Sequence, residues 1–111
     1  MMDSVKGDNS MKTFRIYCGL NTQGMTGQAI QSQNVRKAEK LALKHFPQGH
    51  TIIEAKGRWM GERYACTEST LIVEVIAETG KSVYEFAGAY KDAAEQESVM
   101  ITETQVEASF V

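Results

Sequence analysis

The stretch that decides the fold is residues 51–79, TIIEAKGRWMGERYACTESTLIVEVIAET. Both halves are rich in Ile, Val, Thr or Trp, which favour the pleated surface of a β-strand. In the second half apolar and polar residues alternate, so that one strand face carries Leu71, Val73, Val75 and Ala77. Gly57 and Gly61 bracket the polar segment between the halves. The stretch therefore predicts a β-hairpin with strands over about 51–60 and 67–77.

Four further elements flank this hairpin. Period-two alternation predicts a strand before it and another near the end of the chain, and apolar side chains three and four positions apart predict two helices. In chain order these are a strand over 12–20, a helix over 34–46, a helix over 82–95 and a strand over 96–102. The resulting order is that of the ferredoxin-like β-α-β-β-α-β fold, an α+β antiparallel sheet with two helices on one face.

Polar residues at the helix starts predict side-chain caps. Ser32 or Asn34 can accept a hydrogen bond from the first turn of the first helix. Ser82 and Glu85 have the spacing of a capping box at the start of the second. Gly88, inside the second helix, weakens it by about 1 kcal/mol relative to Ala, which indicates close packing on the sheet.

The remaining segments have no regular pattern. We interpret residues 1–10 as a disordered lead-in to a single domain over 11–111. Residues 19–33 are rich in Gly and Gln, which is typical of either a mobile connection or a functional loop. Residues 104–111 continue the apolar alternation, so we expect an extra strand or a tail that docks on its own sheet or on a partner.

The sheet face away from the helices is expected to be half apolar. Its expected apolar members are Ile52, Met60, Ile72 and Ile76, and its expected charged members are Glu54, Lys56, Arg58 and Glu74. A face of this composition is more often covered than wet, which predicts a homodimer or larger homo-oligomer.

Composition excludes several classes of function. A net charge of −2 argues against nonspecific nucleic-acid binding. Two cysteines and two histidines have no metal-ligand or disulfide spacing, so no metal, cofactor or disulfide is expected, and Cys18 is expected to be a buried hydrophobe. No apolar run is long enough to span a membrane, and a reduced, cytoplasmic setting is the expectation. No catalytic set is visible, so we predict that the protein is not an enzyme.

Two guanidinium groups and two aromatic rings lie together near the predicted hairpin turn. They belong to Arg58, Trp59, Arg63 and Tyr64. Arg matches phosphate oxygens in pairs, and flat rings stack on a base, so this composition predicts a site for an anionic, ring-bearing ligand. Tyr17, Gln96 and Glu97 are candidates to complete it. The alternative is that Trp59 lies in the core and the arginines are solvated.

At these residues the chain resembles a group of small ferredoxin-like proteins from phages and bacteria, most without assigned function. The resemblance covers about residues 12–103. It rests on Gly57-x-Trp59-x-Gly61, on Glu68-Ser69, and on Gln96-Glu97-Ser98-Val99 after the second helix. It implies the fold and a non-enzymatic role, similar to phage counter-defence sponges that sequester nucleotide signals or to oligomeric nitrogen-regulatory proteins. A phage-encoded protein of this kind would act in the host cytoplasm.

Three hypotheses follow from these observations. The first is an oligomeric binding protein for a small anionic ligand, such as a nucleotide or nucleotide-derived signal, with Arg58 and Arg63 on phosphates. The second is a protein–protein module that inhibits or scaffolds a host factor through residues 19–33 and 104–111. The third is a small dimeric ferredoxin-like enzyme, which has the least support because no general base has a visible partner.

Overall fold

A computed structural model describes residues 10–111. The predicted lead-in over residues 1–10 therefore lies, except for Ser10, outside the described residues. The elements are β1 (Lys12–Gly19), α1 (Gln28–His45), β2 (Thr51–Met60), β3 (Ala65–Ala77), α2 (Lys81–Ala93) and β4 (Met100–Gln105). This element order and the α+β class confirm the prediction from sequence.

The four strands form one antiparallel sheet in the order β2-β3-β1-β4. The central pair is β1 and β3, in which Ile16 lies opposite Val73. Because opposite residues of a ladder point to the same side, the alternation along β1 and β3 assigns every side chain to one of two faces. We call the side of Ile16 and Val73 the helix face, and the side of Tyr17 and Ile72 the open face.

The hydrophobic core lies between the helix face and both helices. The regularly spaced apolar residues of α2 and its C-cap are buried, with Phe86 and Tyr90 at 0% exposure; the others are Val83, Ala87 and Ala94. From α1, Ala38 and Ala42 are also at 0%. From the strands the core takes Phe14, Ile16, Cys18, Leu71, Val73 and Val75. Burying one large apolar side chain contributes about 1.5–3 kcal/mol, so this single layer supplies most of the stability.

Helix α1 begins at Gln28, well before the expected start at Asn34. Six of the fifteen residues of the expected loop over residues 19–33 are thus helical, as its Gln and Ala residues permit. No side chain caps this helix, and its N-cap is Gly27. Asn34 is instead fully buried inside α1, where its amide donates to the Leu20 carbonyl at 2.7 Å and to the Thr22 hydroxyl at 3.1 Å.

Helix α2 and strand β4 also differ in detail from expectation. The N-cap of α2 is Gly80 without any side-chain cap, so the predicted Ser82–Glu85 capping box is wrong. Gly88 is exposed and a Cβ there would meet no atom within 4 Å, so close packing does not explain it. The last strand begins at Met100 rather than at residue 96. The chain after Gln105 adds no strand to the sheet but docks on its own chain as the expected tail, since the Val106 amide donates to the Met11 carbonyl at 3.1 Å and Phe110 lines a groove with Glu74 and Ile76.

The register corrects the expected composition of the open face. Ile52 pairs with Val73, which places it on the helix face, where it packs against the core. The same alternation puts Glu54, Lys56, Arg58 and Met60 on that side as well. The open face carries Ile53 instead, beside the expected Ile72, Glu74 and Ile76. The sequence assigned the side chains of β2 to the wrong faces because β2 has no clear apolar–polar alternation. Only its pairing with β3 determines which of its side chains lie on which face.

Replacing Asn34 with Ala should lower the free energy of unfolding by about 1–3 kcal/mol, because two buried hydrogen bonds are lost and the Leu20 carbonyl is left without its donor. Urea denaturation measures this. Gln33→Ala, at the exposed neighbouring position, is the control and should change stability by less than about 0.5 kcal/mol. Equal effects of the two substitutions would contradict the assigned role of Asn34.

Candidate functional site

The candidate site is built around Gly19, the last residue of β1. Its carbonyl accepts a hydrogen bond from the hydroxyl of Tyr90, which reaches it from the buried side of α2. Just beyond it, the amide of Leu20 donates to the Ser69 carbonyl of β3 at 3.1 Å. A helix and two strands therefore hold the backbone at Gly19.

Three acceptor oxygens converge on the space in front of Gly19. The position that a Cβ atom on Gly19 would occupy lies 2.9 Å from Oε1 of Gln96 and 3.1 Å from both carboxylate oxygens of Glu68. A side chain at Gly19 would therefore displace both groups. Glycine is needed here for close approach, not for an unusual backbone angle.

These acceptors have no hydrogen-bond donor among residues 10–111. The Nε2 group of Gln96 donates to the Asn21 carbonyl at 2.6 Å and to the Ala94 carbonyl at 3.3 Å, which turns its oxygen toward Gly19. Within residues 10–111, neither that oxygen nor the carboxylate of Glu68 has a hydrogen-bond or salt-bridge partner. Clustered acceptors without donors favour a ligand that supplies hydroxyl or amino hydrogens.

Burial keeps the groups beneath the site neutral. It raises the pKa of Tyr90, with smaller contributions from Cys18 and Glu68, so the hydroxyl remains a donor to Gly19. Burial also raises the pKa of the Cys18 thiol to about 12. Cys18 is fully buried, as the sequence predicts, and is a packing residue rather than a nucleophile.

Two aromatic side chains flank the acceptors on the open face. Glu68 lies opposite Gly57, and Trp59, two residues further along β2, is on the same face and 54% exposed. Tyr17 lies two residues before Gly19 on β1 and is half-buried. Gly57, which lies between Glu68 and Trp59, has no side chain, and a Cβ atom there would lie 3.8 Å from both the Glu68 carbonyl and the Thr70 hydroxyl.

The structure brings some of the site residues predicted from sequence together and places the others elsewhere. Tyr17, Trp59 and Gln96 lie at or beside the acceptor cluster. Arg58 points to the helix face, opposite to Trp59. Arg63 and Tyr64 lie in the turn, where they line a separate groove of about 300 Å³, and Glu97 is exposed just after Gln96.

Sequence reasoning missed Gly19, Glu68 and Tyr90 as a cluster. Glu68 resembled the other strand carboxylates, and Gly19 resembled the start of a loop. The contact between Tyr90 and Gly19 joins residues 71 positions apart, so no local pattern could reveal it. The usable signal was the glycine itself, since a glycine inside a strand often marks a close approach.

The open face beyond Tyr17 carries a charged pair. Nε of Arg15 lies 2.8 Å from a carboxylate oxygen of Glu74, and Glu74 raises the pKa of Arg15, with a smaller contribution from Tyr17. Across residues 10–111 there is no group of three metal-ligating side chains. No helix in the described part of the chain is long and apolar enough to cross a membrane.

The fold and this surface define a small α+β protein with an acceptor cluster at one end of its central strand. The chain belongs to the DUF3574 family, whose model, described as a protein of unknown function, matches residues 13–110. This agrees with the resemblance to small proteins without assigned function. No curated protein matches the chain.

Two solved structures are similar in fold. A phage SAM lyase in complex with S-methyl-5′-thioadenosine has a TM-score of 0.62 at 16% identity, covering 88% of this chain and 83% of that one. A phage SAM lyase in its apo state has a TM-score of 0.57 at 14% identity, covering 100% and 96%. At these identities the likeness concerns the fold alone.

Stability should fall at alkaline pH because of Cys18 and Tyr90. The pKa values of both groups are higher in the folded than in the unfolded protein. Their contribution to stability is therefore complete below the pKa of the unfolded group, which is 9.0 for the thiol, and is lost as the pH rises above that value. The urea midpoint should be constant near pH 8 and decrease from about pH 9 upward. Cys18→Ala should reduce this slope. A midpoint that is constant to about pH 10.5 would contradict the prediction.

Proposed function

We propose that this protein binds a small molecule carrying an adenosine-like nucleoside, on a ferredoxin-like scaffold, at the acceptor cluster of Glu68 and Gln96. The observation that carries the proposal is the convergence, in front of Gly19, of three oxygens that have no donor within the described part of the chain. The two adjacent hydroxyl groups of a ribose supply two donors at a spacing that two neighbouring acceptors can bind.

The flanking rings support a nucleoside rather than a simple polyol. Trp59 is exposed next to the cluster, and Tyr17 borders it on the other side. Stacking of a base on an aromatic side chain contributes about 1–3 kcal/mol. A ribose at Glu68 would leave its base within reach of one of these rings.

The charge of the site favours a ligand without phosphates near the ribose. Glu68 has no cationic partner among the described residues, so it repels an anion and attracts a neutral or cationic group. A thioether or a sulfonium on the sugar meets this condition. The similar fold of a phage SAM lyase bound to S-methyl-5′-thioadenosine supports this ligand class. The expectation that Arg58 and Arg63 bind phosphates stays a prediction.

Titration calorimetry with S-adenosylmethionine, S-methyl-5′-thioadenosine, adenosine and ATP tests the proposal. We expect binding of the first three and weaker binding of ATP. Glu68→Ala should weaken binding about tenfold or more, since a hydrogen bond to a charged group contributes about 1.5–3 kcal/mol. Gln96→Ala should weaken it about two- to tenfold, since a hydrogen bond to a neutral group contributes about 0.5–1.5 kcal/mol. Glu54→Ala, on the helix face, is the control and should bind as wild type.

Two glycine substitutions distinguish a loss of the binding site from a general effect on folding. Gly19→Ala places a methyl group on the acceptor oxygens and should abolish binding while the protein stays folded. Gly88→Ala meets no atom within 4 Å, so it should bind normally and gain up to about 1 kcal/mol of stability. Tightest binding of ATP, or unchanged binding by Gly19→Ala, would overturn the proposal and favour the hairpin turn.

As a second candidate function we propose the cleavage of S-adenosylmethionine. In this step an oxygen of the substrate's own carboxylate bonds to its γ-carbon as the γ-carbon–sulfur bond breaks, which gives a lactone and S-methyl-5′-thioadenosine without a co-reactant. Its support is the carboxylate of Glu68, which has no cationic partner in the part of the chain that the structure describes and would attract a sulfonium, on a fold similar to that of a SAM lyase. This candidate replaces the expectation of a non-enzymatic protein only if turnover is measured.

Incubation of S-adenosylmethionine with the purified protein, followed by chromatography, tests this candidate. Release of S-methyl-5′-thioadenosine above the uncatalysed rate, lost in Glu68→Gln and retained in Glu54→Gln, is the expected result for an enzyme. Binding without release would leave the protein a receptor for this ligand class.

A further inference from the structure

Two backbone carbonyls hold the side-chain amide of Gln96. Its Nε2 group donates to the Asn21 carbonyl at 2.6 Å and to the Ala94 carbonyl at 3.3 Å. Because the nitrogen is engaged in this way, the oxygen of the same amide faces Gly19. The place of Gln96 in the acceptor cluster therefore depends on what holds these two carbonyls.

Both carbonyls are connected to one pair of buried side chains, Thr22 and Asn34. The Asn34 amide donates to the Thr22 hydroxyl at 3.1 Å, and that hydroxyl donates onward to the Ala94 carbonyl at 3.2 Å. The same amide also donates to the Leu20 carbonyl at 2.7 Å. Asn34 thus bonds to the residues on either side of Asn21, and Thr22 reaches the Ala94 carbonyl directly.

Burial leaves this pair without alternative partners. Thr22 is 7% exposed and Asn34 is fully buried. Oδ1 of Asn34 has no hydrogen-bond partner within residues 10–111, so burying this pair costs more than burying two apolar side chains of the same shape. Packing alone therefore does not account for a polar pair at this place, whereas support of the two carbonyls does.

The turn after α2 brings Gln96 to the site with an unusual backbone conformation. Glu95 has a φ of 53°, a left-handed conformation that residues other than glycine adopt rarely. Across this turn the backbone N–H of Gln96 donates to the Lys91 carbonyl at 2.9 Å. Such a conformation persists only where its surroundings hold it. The hydrogen bond from Thr22 holds the Ala94 carbonyl, which directly precedes Glu95.

We propose that Thr22 is a positioning residue of the ligand site. Its hydroxyl, held by the amide of Asn34, fixes the Ala94 carbonyl and with it the side-chain amide of Gln96. Without this hydroxyl the Ala94 carbonyl loses one of its donors, and the Gln96 oxygen is no longer held in front of Gly19. The effect on ligand affinity rests on the proposed nucleoside site, whereas the positioning is a property of the free protein.

Nuclear magnetic resonance of the Gln96 side-chain amide tests the positioning without a ligand, and Gln96→Ala identifies its signals. Thr22→Val removes the hydroxyl and keeps the shape of the side chain. It should shift these signals and speed their exchange with solvent about threefold or more, because the amide is held less tightly. Thr22→Ser keeps the hydroxyl and should retain the signals of the wild type.

Val83→Ala is the control for a loss of stability alone. Val83 is buried near the start of α2, at the other end of this helix from Ala94. The substitution should lower the urea midpoint and leave the Gln96 signals unchanged. If Thr22→Val does not fold, Thr22→Val combined with Asn34→Leu replaces both polar partners by apolar groups and takes its place.

Titration calorimetry with S-methyl-5′-thioadenosine then measures the effect on the ligand site. Thr22→Val should weaken binding about two- to tenfold, which corresponds to the loss of one neutral hydrogen bond. In the presence of Gln96→Ala it should have no further effect, because Thr22 acts through Gln96.

Unchanged Gln96 signals in the folded Thr22→Val variant, or equal shifts in Val83→Ala, would overturn the positioning role. Binding losses that add up in the double variant would also contradict it. If the wild type does not bind the nucleoside, the proposed function fails, while the amide signals still decide the role of Thr22.

Discussion

The pairing of β1 with β3 in one fixed register is the constraint on which the rest of the structure depends. It places Phe14 opposite Val75, Ile16 opposite Val73 and Cys18 opposite Leu71, so the inner strands present a continuous apolar surface to the helices. A slip of one residue would exchange the two faces and expose this surface. The outer strands then add to this central pair in registers of their own, β2 on β3 and β4 on β1.

The candidate site exists because the end of β1, the last turns of α2 and the segment after α2 meet beside Glu68 of β3. Strand β1 stops at Gly19, helix α2 delivers the Tyr90 hydroxyl to that residue's carbonyl, and the segment after α2 brings the amide of Gln96. The hydrogen bond from Tyr90 fixes the position of the Gly19 backbone. The absence of a side chain at Gly19 leaves room for the acceptor oxygens of Glu68 and Gln96. Rigid support beneath and unpaired acceptors above are the combination that a small-molecule site requires.

The hypothesis from sequence placed aromatic rings and arginines in one binding site, and the structure separates Trp59 from Arg58. Trp59 is exposed, so it is not a core residue, and it lies on the face that also carries Tyr17 and Glu68. Arg58 is adjacent to Trp59 in sequence but points to the other side of the sheet. Composition predicted which residue types gather near the hairpin turn. It could not predict which of them share a surface, because along a strand neighbours in sequence point apart.

The sequence by itself determined the element order, the α+β class and the core face of the strongly patterned elements. The periods of β1, β3 and α2 are visible locally, and burial enforces them. Only the tertiary structure decided the phase of β2, the early start of α1 and the late start of β4, since their local signals are weak and their partners select the outcome. It alone also decided the acceptor cluster, because Gly19, Glu68 and Gln96 meet through contacts between distant parts of the chain, which no local pattern encodes.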